Sequence, residues 1–144
     1  MILCDVNVVL AAVVSTAAAH AICREALVKA AEQRDSFGIN RTVFAGVVRI
    51  GSNPRIFSPP CLTVDLFDRL DALSAQFTCV AVEPGARHWA LFRGFVNDFR
   101  LSSAGVMDAW YAALSIEHDA EWWTCDGGFA KYPGLRLRHL AVPT

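Results

Sequence analysis

Three aspartates stand where a carboxylate can do chemistry. Asp5 closes a short apolar run from Met1 to Cys4, Asp126 closes a second run from Glu121 to Cys125, and Asp108 falls in the first turn of a helical pattern from Val106 to His118. A carboxylate at the C-terminal end of a strand lies where open α/β sheets hold their ligands. Parallel strands point these ends the same way, so Asp5 and Asp126 can face one crevice, and a helix entering from that edge can add Asp108. Carboxylate oxygens suit a hard divalent cation such as Mg²⁺, which keeps several waters besides. Such an ion polarises a phosphodiester and lowers the pKa of a bound water. Each aspartate taken singly also has a plainer reading, as a turn former after a strand or a cap at a helix start. Spacing alone does not name a reaction.

The rest of the chain supplies the elements that must position these residues. Thr16 to Arg34 reads as an amphipathic helix, with His20, Cys23, Leu27 and Ala30-Ala31 on one face. Phe37 to Asn40 is a candidate strand. A helix follows from Thr42 to Ile50, broken by Gly51-Ser52-Asn53-Pro54. Thr63 suits an N-cap, with Asp65 in the first turn, and Leu66, Phe67, Leu70 and Leu73 give a buried stripe. Phe77 to Val82 is a β-branched, apolar strand. Trp89, Phe92, Phe95 and Val96 recur at helical spacing. Leu101 to Gly105 is a loop, and Ala109, Ala112, Ala113 and Ile116 form the packing face of the next helix. The consecutive Trp122 and Trp123 fit a strand covered on both faces, as in a parallel sheet. Asp126-Gly127-Gly128 turns into a short helix around Lys131, and Leu135 to Val142 is a last strand. This alternation predicts an α/β fold with a mostly parallel sheet.

Length and composition set the bounds. The chain has 144 residues, which fits one domain over 1–144. Apolar residues make up 54% and charged ones 19%, so the chain folds, and it is apolar enough to suggest a partner or a second copy over part of its surface. The net charge of −1 gives no global attraction to nucleic acid, so local arginines must handle any polyanion. The five cysteines are scattered without a CxxC, which points to a reducing cytoplasm. The apolar start, followed by Ala17-Ala18-Ala19, looks like an export signal, but no Lys or Arg precedes it and Asp5 interrupts it. No apolar run approaches the ~20 residues of a membrane span.

Four stretches carry a resemblance. Asp5 to Leu10 reads D-x-N-V-x-L, and Val48 to Phe57 reads VRIGSNPRIF. Met107 to Leu114, followed by Ile116-Glu117-His118, reads MDAWYAAL then IEH; Thr124 to Ala130, followed by Pro133-Gly134-Leu135, reads TCDGGFA then PGL. In this order they resemble the PIN-domain ribonucleases, specifically the VapC-type toxins of bacterial toxin–antitoxin pairs. The resemblance runs from residue 2 to about 137 of the chain. It implies a PIN-like three-layer domain, with a central, mostly parallel sheet flanked by helices. It also implies an endoribonuclease dependent on Mg²⁺, with Mn²⁺ as a possible substitute. Such an enzyme cuts structured RNA such as tRNA or rRNA, leaves a 5′-phosphate and a 3′-hydroxyl, and is silenced by a cognate antitoxin. Asp5, Asp108 and Asp126 match the family's catalytic and metal-binding acids. Asn7 and Thr124 match polar positions that orient carboxylates and waters.

The chain also departs from the pattern. Many relatives carry a Glu where Gly46 stands, three residues before Arg49, and a second Asp where Gly128 stands. Three carboxylates remain, which predicts weaker metal binding. A second reading is therefore a PIN fold that binds antitoxin or RNA without cutting. A third is an α/β enzyme with Asp5 as nucleophile, although that chemistry usually wants an Asp where Asn7 stands. Arg41, Arg49 and Arg55 are candidates for RNA phosphate contact, or else surface charge. The four histidines are far apart in sequence and show no zinc spacing, and no G-x-S-x-G elbow is present. The expected assembly is a homodimer with a small antitoxin, whose apolar helix or tail covers grooves near the 42–50 helix.

Overall fold

The computed structural model describes residues 1–140. Five strands form one sheet: β1 (Ile2–Cys4), β2 (Ser36–Ile39), β3 (Thr78–Ala81), β4 (Glu121–Thr124) and β5 (Arg136–His139). Their spatial order is β3-β2-β1-β4-β5, and every pairing is parallel. Six helices connect them: α1 (Val6–Val13), α2 (His20–Glu32), α3 (Arg41–Gly51), α4 (Thr63–Ser74), α5 (His88–Asp98) and α6 (Ala104–Glu117). The sheet is thus purely parallel, with helices against it, as parallel strands require.

Burial follows strand position. Ile2, Leu3 and Cys4 of the central β1 are all buried, as are Trp122 and Trp123 of its neighbour β4, so helices cover both faces there. The expectation for the aromatic pair holds. The expected strand Phe77 to Val82 is shorter, Thr78–Ala81, and its four residues are exposed. The reason is position: β3 is the sheet edge, paired only with β2. The last strand is also shorter than expected, Arg136–His139, and residues 141 and 142 of that expectation lie outside the described residues.

Other boundaries shift for identifiable reasons. The second helix begins at His20 rather than Thr16, where the His20 ring meets the Ala11 carbonyl at 2.7 Å and ties it to α1. Asn40 is not strand but the N-cap of α3: its Oδ1 accepts from the Thr42 N–H at 3.1 Å while its Nδ2 donates to the Val82 carbonyl at 2.9 Å. Leu62, not Thr63, occupies the N-cap position of α4, with no side-chain cap bond. Leu66, Leu70 and Leu73 are buried as expected, but Phe67 is 56% exposed, at an open hollow between α3 and α4. No helix among the described residues is long and apolar enough to cross a membrane.

Candidate active site

Asp5 leaves the end of β1 at the N-cap position of α1, and its carboxylate is the hub of a side-chain network. Thr124 Oγ1 donates to Asp5 Oδ2 at 2.6 Å, and Asn7 Nδ2 donates to the same oxygen at 2.8 Å. Thr124 Oγ1 in turn accepts from Asn7 Nδ2 at 3.2 Å and from the Asp126 N–H at 3.0 Å. Asn7 Oδ1 accepts from the Cys125 N–H at 3.0 Å. The hydroxyl and the amide therefore use both their donor and acceptor capacity to lock the ends of β1 and β4 together. The register makes this possible: Cys4 pairs with Trp123, so the residues just after each strand emerge side by side.

Asp126 caps the short 3₁₀ helix Gly127–Lys131, its Oδ1 accepting from the Gly128 N–H at 2.7 Å. The expected tight turn is thus an acidic cap that leaves Oδ2 clear of that bond. Asp108 is placed differently from the expectation: α6 starts at Ala104, so Asp108 lies in its second turn and caps nothing. Among the described residues it has no side-chain hydrogen bond or ion pair.

The three charges nevertheless share one environment. Burial pushes the Asp5 carboxyl up, the Thr124 bond and the Val6 N–H oppose this, and the negative charges of Asp108 and Asp126 add to the rise. Burial and then Asp126 push Asp108 up, with Lys131 opposing. Tyr132 beside them is pushed up to about 12, by burial first and then by Asp108 and Asp126. The site is an acidic crevice with unbalanced negative charge. Among the described residues, no three His, Cys, Asp or Glu side chains are drawn together into a ready ion cage. The donor set still fits a hard cation: all-oxygen, mutually repelling, and with Asp108 unpaired.

The two departures from the motif pattern have a physical context. A Cβ at Gly46 would stand 2.9 Å from Val6 Cγ2, where α3 crosses α1 beside Asp5. Val6 thus fills the space into which a side chain at 46 would grow. A Cβ at Gly128 would stand 3.0 Å from Asp126 Oδ1, crowding the capping carboxylate.

The arginine expectations separate from the site. Arg41 and Arg49 line a hollow of about 410 Å³ between α3 and α4, together with Phe44, Val48, Phe67 and Leu70. Arg55 is exposed in the following loop, its N–H bonded to Asn53 Oδ1 at 2.9 Å. The cation at the crevice is Lys131, which ends the short helix that Asp126 begins. The sequence places it in the short helix after Asp126 but gives it no role, its signal being a basic residue five positions after a strand-end acid. All four imidazoles meet backbone carbonyls: His20 with Ala11, His88 with Trp110, His118 with Glu83 and His139 with Cys125. They serve the fold.

The fold and crevice define a parallel α/β domain with an acidic strand-end site. The same architecture occurs in the crystal structure of VapBC2 from Rickettsia felis bound to a DNA fragment from its promoter, with a TM-score of 0.71 at 16% identity over 98% of this chain and 100% of that one. No family model matches the chain. Curated relatives do: VapC ribonuclease Mb2897 of Mycobacterium bovis is 34% identical over 139 residues, covering 96% of this chain and 95% of its own. Ribonuclease VapC25 of Mycobacterium tuberculosis is 31% identical over 143 residues, 99% of both chains. The chain belongs to the VapC family of PIN-domain ribonucleases.

Proposed function

We propose that Asp5, Asp108 and Asp126 hold a divalent cation, Mg²⁺ or Mn²⁺, and that the loaded crevice hydrolyses phosphodiester bonds in structured RNA such as tRNA or rRNA. The observation that carries this reading is Asp108: a half-buried carboxylate with no side-chain hydrogen bond among the described residues, near enough to Asp126 to feel its negative charge. Such a group is costly to keep charged unless a cation answers it. When bound, the ion supplies Lewis-acid polarisation of the phosphate and a water that ionises near neutral pH. The protein's own part is positional. Thr124 and Asn7 hold the Asp5 carboxylate at one angle, the Gly128 N–H holds Asp126, and Lys131 moderates the repulsion at Asp108. Waters and the substrate phosphate complete the ion's shell, as Mg²⁺ ordinarily requires.

Binding of Mn²⁺, followed by electron paramagnetic resonance, tests the metal site without any substrate. Saturable binding that Asp108→Asn weakens supports it. No binding by the folded protein would leave the non-cutting reading, a fold that only engages antitoxin or RNA.

For the partner, the α3–α4 hollow is the best seat for a small antitoxin. Its floor is apolar, Arg41 and Arg49 border it, and Phe67 stands open beside it. An apolar helix of the antitoxin would cover Phe67 and place acidic side chains against the two arginines. A homodimer fits a second face. Arg87, Ala90, Leu91, Gly94 and Asp98 line a hollow of about 490 Å³ along α5, with opposite charges at its two ends. Two antiparallel copies would pair Arg87 of each with Asp98 of the other.

A further inference from the structure

Beside the acidic crevice, and unused by it, lies a pair of thiols. Cys125 follows β4 directly, between Thr124 and Asp126, and is partly exposed; Cys23 is fully buried in the first turn of α2. Their sulfurs are 3.6 Å apart although the residues are separated by 102 positions. Cys4, at the end of β1, is a third buried thiol in the same neighbourhood. We infer that Cys23 and Cys125 form an oxidation site, at which a peroxide converts the pair to a disulfide that displaces the β4 end carrying Thr124 and Asp126.

The chemistry is a two-electron oxidation. Hydrogen peroxide transfers one oxygen to the Cys125 sulfur, the exposed partner, giving a sulfenic acid and one water. The Cys23 sulfur then attacks the Cys125 sulfur. The S–O bond breaks, the leaving hydroxide takes the Cys23 proton as a second water, and the S–S bond forms. The two thiols lose two electrons and two protons, and the peroxide is reduced to two waters. A dithiol reductant reverses the step by exchange. Burial pushes the Cys23 thiol up to about 12, which slows the second step, its attack on the sulfenic acid.

The geometric consequence is local. Closing the sulfurs from 3.6 Å to a bonded ~2 Å draws Cys125 toward α2. The Cys125 N–H is bonded to Asn7 Oδ1, and the neighbouring Thr124 and Asp126 hold the crevice network. A protein interior does not stretch to absorb such a shift without moving its neighbours. The effect on cleavage rests on the metal-site reading above, whereas the bond itself and the displacement do not.

The test uses the full chain, treated metal-free with hydrogen peroxide and then with or without a dithiol, with Mg²⁺ restored before RNA cleavage is assayed. Digestion before aspartates separates Cys4 from Cys23 and cuts after Cys125, so mass spectrometry assigns the linkage. The expected result is a Cys23–Cys125 peptide, faster amide hydrogen exchange at Asp126 to Gly128, and reversal of both by the dithiol. Cleavage of RNA should fall by about a hundredfold on oxidation, the scale of a small misplacement of catalytic groups. Cys23→Ala, and independently Cys125→Ser, should abolish the linkage; Cys23→Ala should keep the reduced protein's cleavage under peroxide. Linkage through Cys4, sulfinic acid alone, or a Cys23–Cys125 bond with unchanged exchange overturns the inference. A reduced protein that cuts nothing tells against the metal-site reading, and the linkage and exchange results then decide the thiol site by themselves.

Discussion

The two sides of the acidic crevice are built on opposite plans. On the sheet side, Asp5, Asn7, Thr124 and Asp126 are joined by hydrogen bonds of 2.6–3.2 Å that pin two strand ends together. On the helix side, the Asp108 side chain has no hydrogen bond among the described residues, and Met107 beside it is 46% exposed. The difference separates two tasks. On the metal-site proposal, the sheet side would fix where the ion sits, and the helix side would supply a charge free to adjust to it. Helix α6 itself repeats the contrast between its ends. At its C-terminal end, Glu117 accepts from the N–H groups of Gly85, Arg87 and His88 at 2.7, 2.7 and 3.0 Å. At its N-terminal end, the Tyr132 hydroxyl reaches the Gly105 carbonyl only at 3.5 Å.

The contrast is sharpest under neutralisation. Asp5→Asn and Asp108→Asn should each lower RNA cleavage at least about a hundredfold, if each acid holds the ion that polarises the phosphate. Their stabilities should part: Asp108→Asn removes an unpaired charge and should raise Tm, whereas Asp5→Asn disturbs the hub and should not. Thermal unfolding of the metal-free variants checks this, and equal shifts would erase the distinction between the two sides.

Thr124→Val strikes the network without touching a charge. It leaves the Asn7 amide and the Asp126 N–H short of an acceptor, at a cost of about 1–3 kcal/mol. Denaturant unfolding should show this loss, with cleavage reduced less than by either aspartate change. Gly46→Ala probes the packing behind Asp5. The added methyl meets Val6 at 2.9 Å, which should cost about 1–3 kcal/mol as overpacking, and Val6→Ala in the same chain should recover most of it.

The smallest expected effect lies at the far end of α6. Burial alone would raise the Glu117 carboxyl, but the N–H groups of Gly85, Arg87 and His88 overcome it and hold the group below its ordinary range. Its folded pKa is therefore below its unfolded one. The stability it contributes is present above the unfolded value and is lost as the pH falls through the folded one. Glu117→Gln should lower Tm by about a few degrees at neutral pH, and the gap from the native chain should close on acidification. A gap that persists in acid would show that the carboxylate charge is not what holds the loop.

Much of this was legible in the sequence, and the exceptions are instructive. Asp5 and Asp126 were readable because strand ends are marked by apolar runs that stop on an acid, and the resemblance to the PIN-domain ribonucleases implied Asn7 and Thr124 beside them. The parallel sheet followed from alternation and from Trp122-Trp123. Asp108 was placed a turn too early because nothing local marks the start of α6 at Ala104: Ser103 precedes it with φ 51° and makes no side-chain cap bond. Phe67 looked like core because its spacing matches Leu66 and Leu70, and periodicity cannot tell a wide buried stripe from one bordered by an open groove. The exposure of β3 depends on sheet order, a long-range property. The influence of Lys131 on Asp108 and the Cys23–Cys125 contact were not legible for the same reason, since each joins residues far apart in the chain.

The most direct measurement is cleavage of labelled RNA by antitoxin-free protein, in Mg²⁺ or Mn²⁺ and in chelator, beside Asp108→Asn. The account predicts discrete products that need both the ion and the Asp108 carboxylate. Equal cleavage in chelator, or by folded Asp108→Asn, would contradict it, because the unpaired acid would then have no part in the chemistry.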